Sequence, residues 1–305
     1  MNQMSGPPAG LDWSTASRQP LAPDPNFSPS VRRLQSATSI LLHTLLIVAS
    51  ILSLLPLLWM VSASLMPTGQ ATTYPPHFLP RTITLEHYVA LFTRLDVARY
   101  AANSLGLAGA VTLVSLLFNS MAGYAFAKFR FRGRDPVFRL LLAAMVIPGQ
   151  VAMMPLFLML KEMGLINTYW GVIIPGLASI FGIFLVRQYA LSIPDSILDA
   201  ARIDGASEWR IYWSIFLPAC KPVLVTLATF TFMGTWNDFL WPLIVLTDDR
   251  LYTLPVAVSN LLGEHAQDIE LMMAGAVITV LPVVAVFVAL QRYYIEGIVS
   301  GGVKG

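Results

Sequence analysis

The side chains able to do chemistry are few in this chain and unevenly placed. One carboxylate, Asp238, interrupts an otherwise uncharged run from Pro222 to Thr247, with Asn237 beside it. Asn119 and Gln150 fall in two other uncharged runs. A charge at bilayer depth costs at least about 2.5–3.5 kcal/mol unless paired or hydrated, so such a group faces the inside of a bundle. These four residues are candidates for lining a polar route for a solute. The competing reading is that they hydrogen-bond neighbouring helices and hold the bundle together. The second concentration of polar groups is the stretch Asp199 to Pro218, Asp-Ala-Ala-Arg-Ile-Asp-Gly-Ala-Ser-Glu-Trp-Arg-Ile-Tyr-Trp-Ser-Ile-Phe-Leu-Pro. Its chemistry is that of a docking surface, with charges and small side chains on a short folded unit.

Other chemistries lack their residues. No Gly-x4-Gly-Lys-Ser/Thr sequence is available to cradle phosphates. The single cysteine, Cys220, excludes an internal disulfide and a multi-cysteine metal site, and reads as a small packing residue. His43 has no partner at ligand spacing, and no paired nucleophile and base falls in the apolar runs. The chain reads as a transport subunit and not an enzyme, with no cofactor of its own. Energy for transport must come from another subunit or an ion gradient.

The elements that position these residues are set by composition. Of the 305 residues, 56% are hydrophobic and 12% charged, about half the charge of a soluble domain. No Asp, Glu, Lys or Arg occurs in Leu34–Pro80, Tyr100–Ala127, Leu140–Leu160, Met163–Val186 or Leu271–Gln291. A bilayer core of roughly 30 Å takes about 20 apolar helical residues. With the Pro222–Thr247 run, this predicts an all-α polytopic protein with six transmembrane helices, at about 38–65, 102–127, 139–160, 167–187, 220–247 and 271–292. The first apolar run is too long and begins too late for a removable signal peptide. Residues 1–36 are polar and proline-rich and are expected to form a disordered cytoplasmic tail. With the N-terminus inside, fourteen of the 19 lysines and arginines fall on the inner side, so both termini are predicted cytoplasmic. The net charge of +2 reflects that asymmetry and gives no reason to invoke nucleic acid.

The long outer connection, about 67–99, is expected to hold a short helix from Leu85 to Leu95 with Tyr88, Leu91 and Phe92 on one side. The turn near 161–167 is tight. The outer connection 248–270 is acidic, with Asp248, Asp249, Glu264, Asp268 and Glu270. Pro148, Pro155, Pro175 and Pro242 lie inside predicted spans, where each frees a backbone carbonyl.

The inner connection, 192–218, has its own punctuation. Ser192-Ile-Pro-Asp195 fits a capping box with proline in the first turn. It should open a helix through Ile197, Leu198, Ala200 and Ala201. Gly205 ends that helix, since glycine takes the left-handed conformation freely. Ser207 can cap a second helix, on which Trp209, Tyr212, Trp213 and Phe216 form one aromatic face suited to the membrane–water interface. Pro218 stops or bends it.

This stretch resembles the cytoplasmic motif of permeases of binding-protein-dependent ABC importers, Glu-Ala-Ala-x3-Gly-x9-Ile-x-Leu-Pro. Asp199, Ala200, Ala201, Gly205, Ile215, Leu217 and Pro218 fall at the matching spacings, with Asp199 where the pattern has Glu. The chain's ending, Gln-Arg-Tyr-Tyr-Ile-Glu-Gly-Ile-Val-Ser-Gly-Gly-Val-Lys-Gly, is similar to that of the second permease of maltose-type sugar importers. So are Pro-Pro-His-Phe-Leu-Pro and Trp-Asn-Asp-Phe-Leu-Trp-Pro.

The resemblance covers the chain from about residue 37. It implies the type I ABC importer permease fold in a bacterial or archaeal cytoplasmic membrane. The implied partners are a second homologous permease, two ABC ATPase subunits that bind ATP and Mg, an extracytoplasmic solute-binding protein, and membrane lipid. It further implies that the seven motif residues dock on an ATPase, and that Gly301, Gly302, Val303, Lys304 and Gly305 form a tail reaching the ATPase interface. Connection 248–270 would probe the binding protein's cleft. The implied solute is a sugar, with glycerol phosphates as the alternative. An ion-coupled secondary transporter is the rival class, which Asp238 alone would have to serve.

Overall fold

The computed structural model describes the backbone of residues 29–75, 77–264 and 268–302, and side chains over 38–75, 77–260 and 268–289. The chain divides into two compact units, Met1–Leu57 and Leu58–Gly305. The helices in order are α1 (Pro29–Ser64), α2 (Glu86–Thr93), α3 (Val97–Lys128), α4 (Arg134–Ala144), α5 (Gly149–Glu162), α6 (Trp170–Ile173), α7 (Ile180–Ala190), α8 (Asp195–Ile203), α9 (Glu208–Ile211), α10 (Leu217–Ala219), α11 (Lys221–Trp236), α12 (Leu240–Val245), α13 (Leu254–Glu264) and α14 (Ile269–Gly302).

The first unit contains the beginning of α1. That helix starts at Pro29, inside the stretch expected to be a tail, with proline in its first turn where the missing N–H costs nothing. The rest of the expected tail, residues 1–28, lies outside the described residues. Ser39 and His43 pair within one turn, the imidazole Nδ1 lying 2.6 Å from the Ser39 carbonyl.

In the second unit α3 is the central helix. It packs most extensively against α7 and α11. The approach to α7 is close: a Cβ on Gly123 would lie 2.6 Å from Val186 Cγ1, and one on Gly182 would lie 2.6 Å from Asn119 Nδ2. Small residues at such positions let membrane helices pack by dispersion, because lipid supplies no hydrophobic drive between them. α14 packs against α2 and α11, in a core that also draws on α3 and α13: Leu91, Val97, Ala108, Trp236, Leu254, Leu271 and Ala274.

Among the described residues, four stretches are long and apolar enough to cross a membrane: Thr38–Ser64, Val97–Lys128, Trp170–Ala190 and Ile269–Ala289, the third with a 3-10 turn inside it. Two more qualify only as bent pairs. α4 and α5 meet at 104°, and the segment Glu208–Ala219 meets α11 at 78°. The expected span 139–160 is therefore two helices, separated where Pro148 caps α5. The expected span 220–247 is α11, a break at 237–239, and α12. Prolines account for much of this. Pro155 sits inside α5, Pro175 lies in a 3-10 turn, Ile174–Gly176, between α6 and α7, and Pro242 falls in α12.

At the other end of these helices, the turn after α5 uses left-handed residues Gly164 and Asn167. Asn167 Oδ1 accepts from the N–H groups of Thr247 and Asp248, and Trp241 Nε1 donates to the Gly171 carbonyl at 3.1 Å. The expected short helix in connection 67–99 is α2. Its buried residues are His87 and Leu91, one turn apart, while Phe92 is exposed.

Candidate functional site

The connection after α7 folds as a compact unit. Ser192 does not cap α8: its hydroxyl donates to the Tyr189 carbonyl, Pro194 takes the cap position, and Asp195 turns to Lys128. The expected capping box is thus replaced by an ion pair to α3. Gly205 has φ +81. Its N–H donates to the Arg202 carbonyl, and the Ala206 N–H to the Ala201 carbonyl, the paired bonds that end a helix on a left-handed glycine. Ser207 caps α9, its hydroxyl accepting from the Arg210 N–H at 3.4 Å. The chain continues through a wide π turn, Tyr212–Phe216, into α10.

The aromatic row separates onto two faces. Tyr212 and Phe216 are buried, while Trp209 and Trp213 are exposed. Each pair is spaced one turn apart, so inner and outer faces both carry aromatics. The inner pair joins Tyr124, Val186, Ala190, Leu198, Ile211 and Cys220 in one core. Tyr124 packs on Phe216 with ring centroids 4.5 Å apart. Cys220 is fully buried there, in keeping with a packing role. The unit is in this way fused to the ends of α3, α7 and α11.

Charges brace it. Lys128 Nζ donates to Asp195 Oδ1 and to the Ile193 carbonyl, both at 2.6 Å. Arg202 bridges Asp199 Oδ1 and Glu208 Oε1, each at 2.7 Å, and the Tyr124 hydroxyl donates to Glu208 Oε2 at 3.0 Å. The ammonium beside Asp195 holds its carboxyl below the usual carboxylate range. The bonds to Glu208 and Asp199 hold the Arg202 guanidinium charged, its pKa raised. A cleft of about 360 Å³ opens among Lys128, Asp195, Leu198, Asp199, Arg202 and Glu208.

The seven motif residues divide by role. Asp199 and Ala200 are exposed, and Ala201 is half-buried. Ile215 and Leu217 pack against the core and hold the unit in place. Pro218 begins α10. α8 also presents Ile197 and Ile203, 50% and 87% exposed, three residues either side of Ala200 and so on its face. Sequence reasoning missed their outward aim and the bracing roles of Tyr124, Lys128, Arg202 and Glu208. The signal available for the first was Leu198, the one apolar side chain of that turn that is buried.

The four pathway candidates are not brought together. Asn119 has no exposed surface. Its Nδ2 donates to Ser115 Oγ at 2.7 Å and its Oδ1 accepts from the Ser179 N–H at 3.0 Å, which ties α3 to the start of α7. Gln150 is exposed in the first turn of α5. Asn237 is exposed and donates to the Met233 carbonyl. Asp238 is half-buried, and its carboxylate accepts from the Trp241 N–H at 3.4 Å, at the start of α12. A carboxylate at a helix N-terminus is favourably placed, so this acid has a local partner at the helix break.

In the acidic connection, Asp248 accepts from the Arg250 N–H, but Glu270 is fully buried and not on a solvated face. Its Oε1 accepts from the Ala71 N–H at 2.7 Å. The Glu264 side chain lies outside the described residues. Of the expected tail, Gly301 and Gly302 are the end of α14, and Val303, Lys304 and Gly305 lie outside the described residues. Among the described residues, no group of three or more His, Cys, Asp or Glu is placed to hold a metal ion.

Apolar helices bundled around α3, with a braced helical unit between α7 and α11, define a polytopic membrane protein. Residues 116–299 match the family described as "Binding-protein-dependent transport system inner membrane component". The chain belongs to that family and is the permease subunit of an ABC importer. Among its relatives is the arabinooligosaccharides transport system permease protein AraQ of Halalkalibacterium halodurans, 38% identical over 83% of this chain and 92% of that one. The lactose transport system permease protein LacG of Rhizobium radiobacter is 33% identical over 86% and 95%. The fold matches that of a bacterial ABC transporter involved in the import of the acidic polysaccharide alginate, with TM-score 0.77, 25% identity, and 89% and 100% of the two chains covered.

Proposed function

We propose that this permease forms half of the pathway for a mono- or oligosaccharide delivered by an extracytoplasmic binding protein, with a second homologous permease as the other half. Two ATPase subunits bind ATP and Mg, and one of them seats the unit 192–218. Both termini face the cytoplasm. The observation that carries this reading is α8, which presents Ile197, Ala200 and Ile203 outward on a unit whose opposite side is fused to three spans. Exposed apolar side chains on a connection outside the bilayer mark a partner surface.

Closure of the ATPases on ATP would move α8. Because the unit is rigid, its motion passes to α3, α7 and α11 and turns the pathway outward; hydrolysis resets it. Nucleotide drives the change by binding the two states with different affinity. The sugar assignment is supported by the names of the relatives, arabinooligosaccharides and lactose. The residues 301–305 are assigned to the ATPase interface and 248–270 to the binding protein.

Reconstitution with the partner subunits tests this. Sugar uptake should require ATP and binding protein and persist with a protonophore present. Uptake abolished by the protonophore at constant ATP would instead support ion coupling.

A further inference from the structure

The connection between α3 and α4 carries more positive charge than the unit 192–218 pairs with: Arg130 also lines the cleft beside Asp195 and Asp199, but Arg132 and Arg139 do not. Lys128, Arg130, Arg132, Arg134 and Arg139 fall between 128 and 139, with Asp135 the single acid of that stretch. Lys128 is turned onto Asp195 and the Ile193 carbonyl. Arg134 is paired with Asp135 at 2.9 Å. Arg130 and Arg132 are exposed and enter no ion pair among the described residues. Arg139 is exposed, and its Nε reaches only the Asp135 carbonyl at 3.4 Å. From behind, Arg187 of α7 lies over the Phe138 ring at 4.0 Å.

Apolar side chains are interleaved with these cations. Phe131, Val137 and Leu140 are all exposed, and the last two are three residues apart on one face of α4. A cleft of about 270 Å³ opens among Arg130, Phe131, Gly133, Arg134, Asp135 and Pro136. Its two guanidinium groups outweigh its one carboxylate, which Arg134 already occupies. Guanidinium forks match phosphate oxygens in pairs, where an ammonium offers a point charge. The patch joins α3, long and apolar enough to span, to α4, which qualifies only together with α5; cationic heads with apolar side chains beside them at the end of a span suit headgroup depth.

We propose that Arg130, Arg132 and Arg139, with Phe131 and Leu140, form a binding surface for the phosphate headgroup of an anionic phospholipid in the inner leaflet. The headgroup phosphate pairs with the arginines, and the acyl chains lie along the exposed Val137–Leu140 face. The alternative occupant is an acidic face of an ATPase subunit. Lipid is favoured because the exposed apolar side chains Val137 and Leu140 continue along α4, the first half of a bent pair apolar enough to span, rather than onto α8. The proposal rests on the orientation given above, which places this connection inside.

The test is native mass spectrometry of the complete transporter, released from detergent with phosphatidylglycerol or phosphatidylcholine added. The variants are Arg130→Gln/Arg132→Gln/Arg139→Gln, the same triple to Lys, and the single Arg132→Gln. Each cation near an anionic surface contributes about fivefold. The Gln triple should therefore lose preference for phosphatidylglycerol by on the order of 100-fold and the single variant by about fivefold, while the Lys triple, which keeps the charge but not the paired fork, should lose less than the Gln triple. Should the Gln triple not assemble, the single variant carries the comparison.

Unchanged retention in the Gln triple or the single variant would overturn the proposal. So would displacement of the lipid by millimolar inorganic phosphate, which would mark a simple anion site. Loss of ATPase subunits with lipid retention intact would assign the patch to protein contact and also overturn it. The coupling reading is measured separately, by binding-protein-stimulated ATP hydrolysis of the Gly205→Pro variant; a failure there leaves the lipid measurement standing.

Discussion

Lys128 Nζ lies 2.6 Å from Asp195 Oδ1, so the last turn of α3 is bonded directly to the first turn of α8. The two partners differ in environment. The lysine side chain is 4% exposed and the aspartate 74%. The buried partner also holds the Ile193 carbonyl. α8 therefore cannot shift away from α3 without uncovering a desolvated ammonium, so the two elements are tied together.

The asymmetry predicts unequal variants. Asp195→Asn should cost about 0.2–1 kcal/mol, the range for exposed ion pairs. Lys128→Met removes both bonds and should cost about 1.5–3 kcal/mol, the range for hydrogen bonds to charged groups. Thermal unfolding in detergent measures both. Equal losses would mean that the buried lysine does not anchor α8.

The same pair sets a pH dependence. Lys128 holds the Asp195 carboxyl below its ordinary value, about 3.9. A depressed folded-state pKa gives stability that is fully present above the ordinary value and is lost as pH falls through the depressed one. The difference between wild type and Asp195→Asn should stay constant from neutral pH down to about pH 5 and shrink below about pH 4. A difference that changes between pH 6 and 8 would implicate another group.

Gly205 sets the turn between α8 and α9. Its φ of +81 is strained for any residue with a side chain, so Gly205→Ala should cost about 1–2 kcal/mol. Gly205→Pro is worse, because proline fixes φ near −65° and removes the N–H that donates to Arg202. The expected result is normal membrane insertion with transport abolished. Normal uptake by the proline variant would sink the docking role of 192–218.

How much of this was legible in the sequence depends on whether the cause is local. Gly205, Ser207 and Pro218 each act through their own backbone, and each does what its residue type dictates. The apolar runs located the helices, and Pro148 and Pro218 marked where two of them turn, but composition does not encode the angles of 104° and 78°. Ser192 failed as a cap because a non-local partner, Lys128, drew Asp195 away. The aromatic row split because four residues at helical spacing make two pairs, and only the packing of Tyr124 decides which pair turns inward.

Asn119 gives the sharpest separation of pathway from scaffold. It is fully buried, and it links Ser115 on its own helix to the Ser179 N–H at the cap of α7. Gly182, the residue that donates to Ser179 Oγ, would press a Cβ against the Asn119 amide. Asn119→Leu leaves the Ser179 N–H without its acceptor and should lower stability by about 0.6–1.7 kcal/mol, the measured span for interhelical hydrogen bonds in a membrane. Gly182→Ala should act in the same direction by pushing the same amide aside. If Asn119 is scaffold, both variants lower the unfolding temperature and leave the uptake KM of assembled transporter unchanged. A raised KM with an unaltered unfolding temperature would instead put the amide in the solute's path, in a conformation where α3 and α7 have moved apart.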